Sequence, residues 1–305
     1  TLTAVAAVAV CATRAQTTIK PMACTDLVLT GTAATGSGTM HYQWVEGTTV
    51  ANCSIPIAGC ATQNCTIPAA NAVGVKVYKR VVVSDECITD IKESAPITVQ
   101  YQGLKLGTVC WAPANVGNTG KWAQTPDTYG SMFQFNINRA WHPTTPATGV
   151  AIISWFPSNE QNTNWNESTN AVCPNGWRLP TAAEFLALHD ASTIGSASGA
   201  GTSVAKNAKG NTLAAGKFYG PKHATCSLAS GGSMDGCIFL PFVGSRSSTN
   251  GALSNQGANG YYWSSTQNIR NSTEGFCIDF SGLGSAPATV YSKSFAFPVR
   301  CVKSM

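Results

Sequence analysis

Charge is scarce in this chain. Only 11% of its 305 residues are Asp, Glu, Lys or Arg, against about 25% in an average globular protein. Its surface is therefore dressed in Ser, Thr, Asn, Gln and Gly, which suits a protein outside the cell or one packed against many neighbours. The basic residues are scattered, with Lys76, Lys79 and Arg80 the densest group. Nucleic-acid binding calls for a basic stripe with interleaved aromatics, so no nucleic-acid partner is expected despite the net charge of +5. Runs of about 18 apolar residues are also missing, so no membrane span is expected. Gly-x-Ser-x-Gly, His-Glu-x-x-His, the P-loop and Gly-x-Gly-x-x-Gly do not occur; these would mark hydrolase, zinc-protease or nucleotide chemistry. Histidine is confined to His41, His142, His189 and His223. His189-Asp190 would be two parts of a Ser-His-Asp site, but nothing in the sequence orders a serine against them. The reading is a non-enzymatic protein without cofactor or tightly bound transition metal.

What the chain does have is cysteine: twelve, at 11, 24, 53, 60, 65, 87, 110, 173, 226, 237, 277 and 301. None forms Cys-x-x-Cys, which argues against zinc ribbons and thioredoxin-like motifs. An even, dispersed set in a low-charge chain reads as disulfides in an oxidising compartment. Cys53, Cys60 and Cys65 share the loop-rich insert "NCSIPIAGCATQNC", where two of them are expected to staple the loop. Asn52, Asn64, Asn166 and Asn271 begin Asn-x-Ser/Thr sequons.

Residues 17–101 read as short strands punctuated by turns: "DLVLTGT", "HYQWVEG", "VGVKVYKRVVVSDEC" and "APITVQY". Strands at this spacing suggest a β-sandwich. Cys24, then Trp44, then Cys87 follow the order of an immunoglobulin-like sandwich, in which a Trp packs on an inter-sheet disulfide. A Cys24–Cys87 bond is expected on that pattern, although Asp85 stands where such domains carry a Tyr. Near residue 102 the character changes to long Gly-, Asn- and Ser-rich loops with frequent Trp, which places a domain boundary there. Thr181-Ala-Ala-Glu184 is a capping box behind Pro180, so "PTAAEFLALHD" predicts a helix with Phe185 and Leu188 on one face and Leu186 alongside. Strands return in "CIFLPFVGSR", "YYWSST", "FCIDF" and "FAFPVRCV". In these, Phe276, Ile278 and Phe280 alternate with Cys277 and Asp279, and Phe295, Phe297, Val299 and Cys301 share a face. Pro298 argues for an edge or a bulge.

With these pieces in place, "CPNGWRLPTAAEF" at 173–185, "FLPFVGSR" at 239–246, "GYYWSST" at 260–266 and "FPVRCVK" at 297–303 resemble the Fibrobacter succinogenes major paralogous (FISUMP) domain, over roughly residues 103–305. That family is similar to C-type-lectin-like folds. The resemblance implies a small twisted sheet, a couple of helices, long ordered loops, and a Cys173–Cys301 disulfide tying the helix start to the last strand. The whole chain is then mainly β with an α+β C-terminal part: a strand and spacer over 1–16, an immunoglobulin-like sandwich over 17–101 and a C-type-lectin-like domain over 102–305. Arg178 and Arg300 flank the ends of the hinge as braces for loop carbonyls.

Two features bear on ligands. "NEQNTNWNES" (159–168) gathers Glu160, Asn162, Asn164, Asn166 and Glu167, hard oxygen donors of the kind that bind calcium. The alternative is a polar loop fixed by Asx turns, and the sugar-binding tripeptides Glu-Pro-Asn and Gln-Pro-Asp are absent. Trp122, Trp141, Trp155 and Trp165 either stack on sugars or form the core of a long-loop domain.

The N-terminal stretch "TLTAVAAVAVCATRAQ" resembles a secretory signal with a cleavage site at Thr13-Arg14-Ala15, or a lipoprotein signal ending at Cys11. Kept in the mature protein, its uncharged run is an aggregation-prone strand that something must cover. As a strand it aligns Leu2, Ala4, Ala6, Val8 and Val10; Leu2, Val5, Val8 and Val10 are its candidate contact residues. Burying four or five such side chains contributes about 5–10 kcal/mol before ordering costs. The cover is either its own sandwich or a neighbouring subunit, with "CATRAQTTIKPM" as spacer and Cys11 as a lock. The expected function is a secreted structural subunit of an extracellular, cell-surface filament that polymerises through this strand. Its partners are other copies of itself, with other fimbrial proteins or glycans next. The alternative is an adhesin whose lectin-like domain binds glycan or protein.

Overall fold

The structure is a computed structural model and describes residues 2–3, 17–19, 24, 26–68, 75–100, 103–159, 161–193, 215–228, 234 and 236–304. The chain divides into two compact units, Thr1–Gln102 and Gly103–Met305. Both are built mainly of strands, with one α-helix among the described residues.

The first unit holds β1 (Leu2–Thr3), β2 (Thr17–Ile19), β3 (Leu27–Thr30), β4 (Met40–Gly47), β5 (Ile55–Pro56), β6 (Cys65–Ile67), β7 (Val75–Ser84), β8 (Cys87–Glu93) and β9 (Ile97–Gln100). They form two sheets. One is ordered β1-β3-β6; the other runs β2-β9-β7-β4-β5, with β8 also paired to β7. The long β7 ladder against β4 runs from Met40↔Ser84 to Gly47↔Val77, as its run of β-branched residues favours. Trp44 is fully buried, and its indole N–H donates to Gln63 O at 3.3 Å. It therefore faces the cysteine-rich insert, where Cys60 is bonded to Cys65.

The second unit adds β10 (Leu104–Leu106), β11 (Val109–Trp111), β12 (Val116–Asn118), β13 (Lys121–Trp122), β14 (Met132–Gln134), α1 (Ala182–Thr193), β15 (Gly216–Tyr219), β16 (Ile238–Pro241), β17 (Ser245–Arg246), β18 (Leu253–Ser254), β19 (Asn259–Gln267), β20 (Glu274–Ser281), β21 (Ser285–Ser292), β22 (Ala296–Pro298) and β23 (Val302–Ser304). Its main pieces are the meander β19-β20-β21, a sheet ordered β14-β22-β17-β18 and a sheet ordered β10-β11-β23. β14, β22 and the middle of β19 are covered on both faces, whereas β21 alternates half-buried and exposed residues. Met132, Tyr262, Ile278 and Ala296 pack into one core with Phe185 and Leu188 of α1. Their chain neighbours Phe133, Tyr261, Trp263, Cys277 and Phe297 pack into another. Successive strand side chains point to opposite sides, so β14, β22 and the middle of β19 are packed from both sides. The alternation at 276–280 suggested a single buried face, yet Cys277 is as buried as Ile278.

Local chemistry explains the boundaries. Thr181 Oγ1 accepts the Glu184 N–H at 3.2 Å, and a Glu184 carboxylate oxygen accepts the Thr181 N–H at 2.7 Å, closing the capping box. Phe185 and Leu188 are buried, but Leu186 is 45% exposed; one residue from Phe185 is about 100° around a helix, which turns it to solvent. Pro298 pairs with Met132 on β14, while β17 meets β22 only at Ala296. The N–H that proline lacks therefore leaves no ladder bond unmade on the β17 side.

Candidate functional site

The hinge is the most constrained region. Cys173 is bonded to Cys301 (S–S 2.04 Å, Cα–Cα 6.0 Å) across 128 residues of sequence. Pro174 to Trp177 is a turn closed by the Trp177 N–H to Pro174 O at 2.9 Å, with Gly176 at φ +79; that positive φ is where glycine is cheapest. The backbone of Arg178 then exchanges two hydrogen bonds with Val302, at 2.9 and 2.8 Å. The Ser265 N–H reaches Pro180 O at 2.7 Å. A disulfide and a two-bond bridge thus fasten the helix start to the final strand. The Arg178 guanidinium binds both oxygens of Glu184, at 2.8 and 2.6 Å, and Leu179 O at 3.0 Å. Burial pushes the Glu184 carboxyl up, but hydrogen bonds from Arg178 and Thr181 outweigh it and leave the group below its usual value.

Around the 159–168 loop several side-chain oxygens are already engaged, while Asn159 Oδ1 and Glu167 Oε2 are buried without a hydrogen-bond partner among the described residues. Asn166 Oδ1 accepts the Ser168 N–H at 3.0 Å, an Asx turn. Asn164 Oδ1 accepts the Gln267 N–H at 3.0 Å, and Glu167 Oε1 accepts the Leu179 N–H at 2.7 Å. Burial pushes the Glu167 carboxyl up, against the Leu179 hydrogen bond and the Arg178 charge. Asn162 is exposed, and Glu160 lies outside the described residues. Asn52 and Asn271 are also local caps, Asn52 Oδ1 accepting the Thr48 and Thr49 N–H groups and Asn271 Oδ1 that of Thr273, while Asn64 Oδ1 accepts the N–H of the sequence-distant Gly31.

Three of the four loop tryptophans face inward. Trp155 donates to Ser248 O at 2.9 Å and lies against Gly251, where any Cβ would sit 2.4 Å from its ring. Trp141 packs on Trp155, with centroids 5.1 Å apart. Trp165 packs on Phe135 and donates to Asn170 O at 2.9 Å. Trp122 differs: it and Trp177 are half-buried and meet edge to face at 5.3 Å. His189 and Asp190 are 3.5 Å apart, and no serine hydroxyl hydrogen-bonds His189 among the described residues.

Of the buried cations, Arg300 was expected as a brace for carbonyls, and Arg80, Arg246, Lys217 and Lys293 were not. Arg300 is fully buried and donates to Asn115 Oδ1 at 2.9 Å, Ala112 O at 2.9 Å and Phe239 O at 2.8 Å. Burial pushes it down to about 10. Arg246 donates to the carbonyls of His142, Gly251 and Thr145, and Arg80 to those of Gln63 and Thr32. Lys217 and Lys293 are buried too, each donating to carbonyl groups. Among the described residues none of the five has a carboxylate partner. The one signal for them is placement: Lys293, Arg300 and Arg246 sit inside the apolar runs "SKSFAFPVRCV" and "FLPFVGSR".

Cysteine behaves less uniformly than the even count suggested. Cys226 is bonded to Cys237, but Cys53 and Cys277 are free and buried. Cys53 sits where its thiol reaches Val77 O at 3.2 Å, so in the insert the nearer pair Cys60–Cys65 is the staple. Cys24 is disulfide-bonded, and the side chain of Cys87 lies outside the described residues. Of the N-terminal contact residues, Leu2 lies in β1, which runs parallel to β3 with Leu2↔Leu29 and Thr3↔Thr30 in register. Val5, Val8 and Val10, and with them Cys11, lie outside the described residues.

The sequence profile of the Fibrobacter succinogenes major domain matches residues 104–303, which is nearly the whole second unit, and the chain belongs to that family. No curated protein matches the chain.

Proposed function

We propose that this protein is a secreted, non-enzymatic structural subunit of an extracellular filament on the cell surface, polymerising through its N-terminal strand. The observation that carries the reading is the pairing of Leu2–Thr3 with Leu29–Thr30. That β3 edge accepts the segment within one chain, and it offers the same register to the identical segment of a neighbour; such an exchange is a low-cost route to assembly. Residues 4–16 separate β1 from β2, a chain length that reaches about 45 Å when extended. A unit of about 100 residues has a radius of gyration of about 13 Å, so the spacer is long enough to cross to an adjoining subunit. A head-to-tail contact that does not close on itself grows into a fibre.

Other features support the setting. The disulfides fit a secreted protein, and no helix is long and apolar enough to cross a membrane among the described residues. The two sheets around Trp44 support an immunoglobulin-like first unit, and the long cation-braced loops a C-type-lectin-like second one. Deleting residues 1–10 tests the reading: sedimentation and electron microscopy are expected to find folded monomers in place of polymers. Polymers that form unchanged, or a wild-type chain that stays monomeric, would refute it.

A second reading rests on the half-buried Trp122–Trp177 pair. Exposed aromatic edges beside polar loops suit glycan stacking, so the second unit is an adhesin module in that reading. Binding on a glycan array that is lost in Trp122→Ala would favour it.

A further inference from the structure

The 159–168 loop has the composition of a calcium site, yet a lysine from another segment holds it. Lys293 is fully buried. Its ammonium donates to Gln161 O, to Thr163 O at 3.5 Å and to Gln267 Oε1 at 3.2 Å, and lies 5.0 Å from the centroid of the Phe135 ring. Three protons thus face three oxygens, with a ring face beside them. Carbonyl and amide oxygens are also what a hard cation takes as ligands, and the aromatic face adds attraction for any cation. A buried ammonium without such acceptors would be expensive; with them it is an anchored positive charge.

The frame around it is fixed independently. The Lys293 N–H donates to Thr273 O at 2.8 Å, and its carbonyl accepts from the Phe135 N–H at 3.1 Å and Asn159 Nδ2 at 3.3 Å. Asn136, at φ +57, accepts from the Asn166 N–H at 2.7 Å and from Asn170 Nδ2 at 3.2 Å. Its own amide donates to Gln161 Oε1. Meanwhile Asn164, Asn166 and one oxygen of Glu167, the side chains that composition offers as metal ligands, each accept a backbone N–H, and the second Glu167 oxygen is buried without a partner among the described residues. An oxygen that accepts such a proton has one fewer lone pair to give a metal ion. The loop therefore turns its backbone carbonyls toward the lysine while its side chains brace the chain.

We infer that Lys293 is a built-in cation for this loop: its ammonium stands where a metal ion would, so the loop forms without calcium and is closed to it. Hydrogen exchange on the full chain tests this. In the wild type, exchange at the Trp165 and Asn166 amides is unaltered by millimolar calcium or by EDTA. Lys293→Met keeps the bulk and removes the charge, and exchange at those amides quickens about tenfold or more, the equivalent of about 1.4 kcal/mol of local opening, while the amides of α1 are unaffected. Loop exchange in Lys293→Met equal to that of the wild type would overturn the inference. So would calcium that slows wild-type exchange in the loop. Should Lys293→Met fail to fold, the wild-type calcium titration decides alone.

Discussion

Arg178 and Glu184 meet as a two-point pair, guanidinium to carboxylate at 2.8 and 2.6 Å, while the same carboxylate accepts the Thr181 N–H at 2.7 Å. One acidic side chain thereby starts the helix and ties it to a segment whose backbone is bonded to the last strand. The sequence motif at 173–185 is compact because all three duties fall on neighbouring residues.

Glu184 can therefore be dissected by substitution. Glu184→Gln keeps a capping-box oxygen and loses only the charge pair. The Arg178 side chain is 34% exposed, so solvent screens the pair and the expected loss is about 1 kcal/mol. Glu184→Ala loses the cap as well, for about 1–3 kcal/mol in total. Because the folded carboxyl lies below its usual value, its contribution is fully present above the unfolded value of about 4.3 and is lost as pH falls through the folded one. Urea midpoints of Glu184→Gln and wild type should draw together as pH falls below the unfolded value of about 4.3 and converge below the folded one; a gap that does not narrow on acidification would contradict the assignment.

Arg300 should tolerate no replacement. Arg300→Met strands Ala112 O, Phe239 O and Asn115 Oδ1 in the interior, and Arg300→Lys reaches at most part of that set. Each lost donor leaves an acceptor costing about 1–3 kcal/mol, so both variants should lose about 3 kcal/mol or more in urea unfolding. A wild-type midpoint for Arg300→Met would mean that these carbonyls find other donors.

The cysteines should sort by burial. Thiolate is the reactive form, and burial pushes the thiols of Cys53 and Cys277 up. Alkylation of the native protein should spare both, and denaturation without reduction should label both. Peptide mapping should return 60–65, 173–301 and 226–237 as bonded pairs. Opening 173–301 by substitution should cost about 4–5 kcal/mol in the chain-entropy picture. Rapid native labelling at Cys277 would place it outside the core.

What could be read in advance was what is local. The capping box at Thr181 and Glu184 and the β-rich run at 73–87 each depend on residues a few positions apart. The Cys173–Cys301 bond spans 128 residues and was available through family resemblance alone. The second core was hidden because alternation at Phe276–Phe280 looks alike whether Cys277 faces solvent or another sheet. The 159–168 loop left calcium and Asx turns both open for a related reason: Lys293 lies far along the chain from Gln161 and Thr163, and nothing near 159–168 shows that a cation is supplied from elsewhere. Cys53 was indistinguishable by spacing from its neighbours Cys60 and Cys65.

The filament reading turns on whether the strand at Leu2–Thr3 leaves its own subunit, and cysteine cross-linking measures that directly. Two variants are prepared in a Cys11→Ser background, one carrying Leu2→Cys and the other Leu29→Cys, the two positions being register partners. Mixed before assembly and oxidised, they should yield a disulfide-linked dimer joining position 2 of one copy to position 29 of the other, and the doubly substituted chain should yield a ladder of linked oligomers. A doubly substituted chain that closes only within itself, together with no cross-linked dimer from the mixture, would contradict donation of the strand.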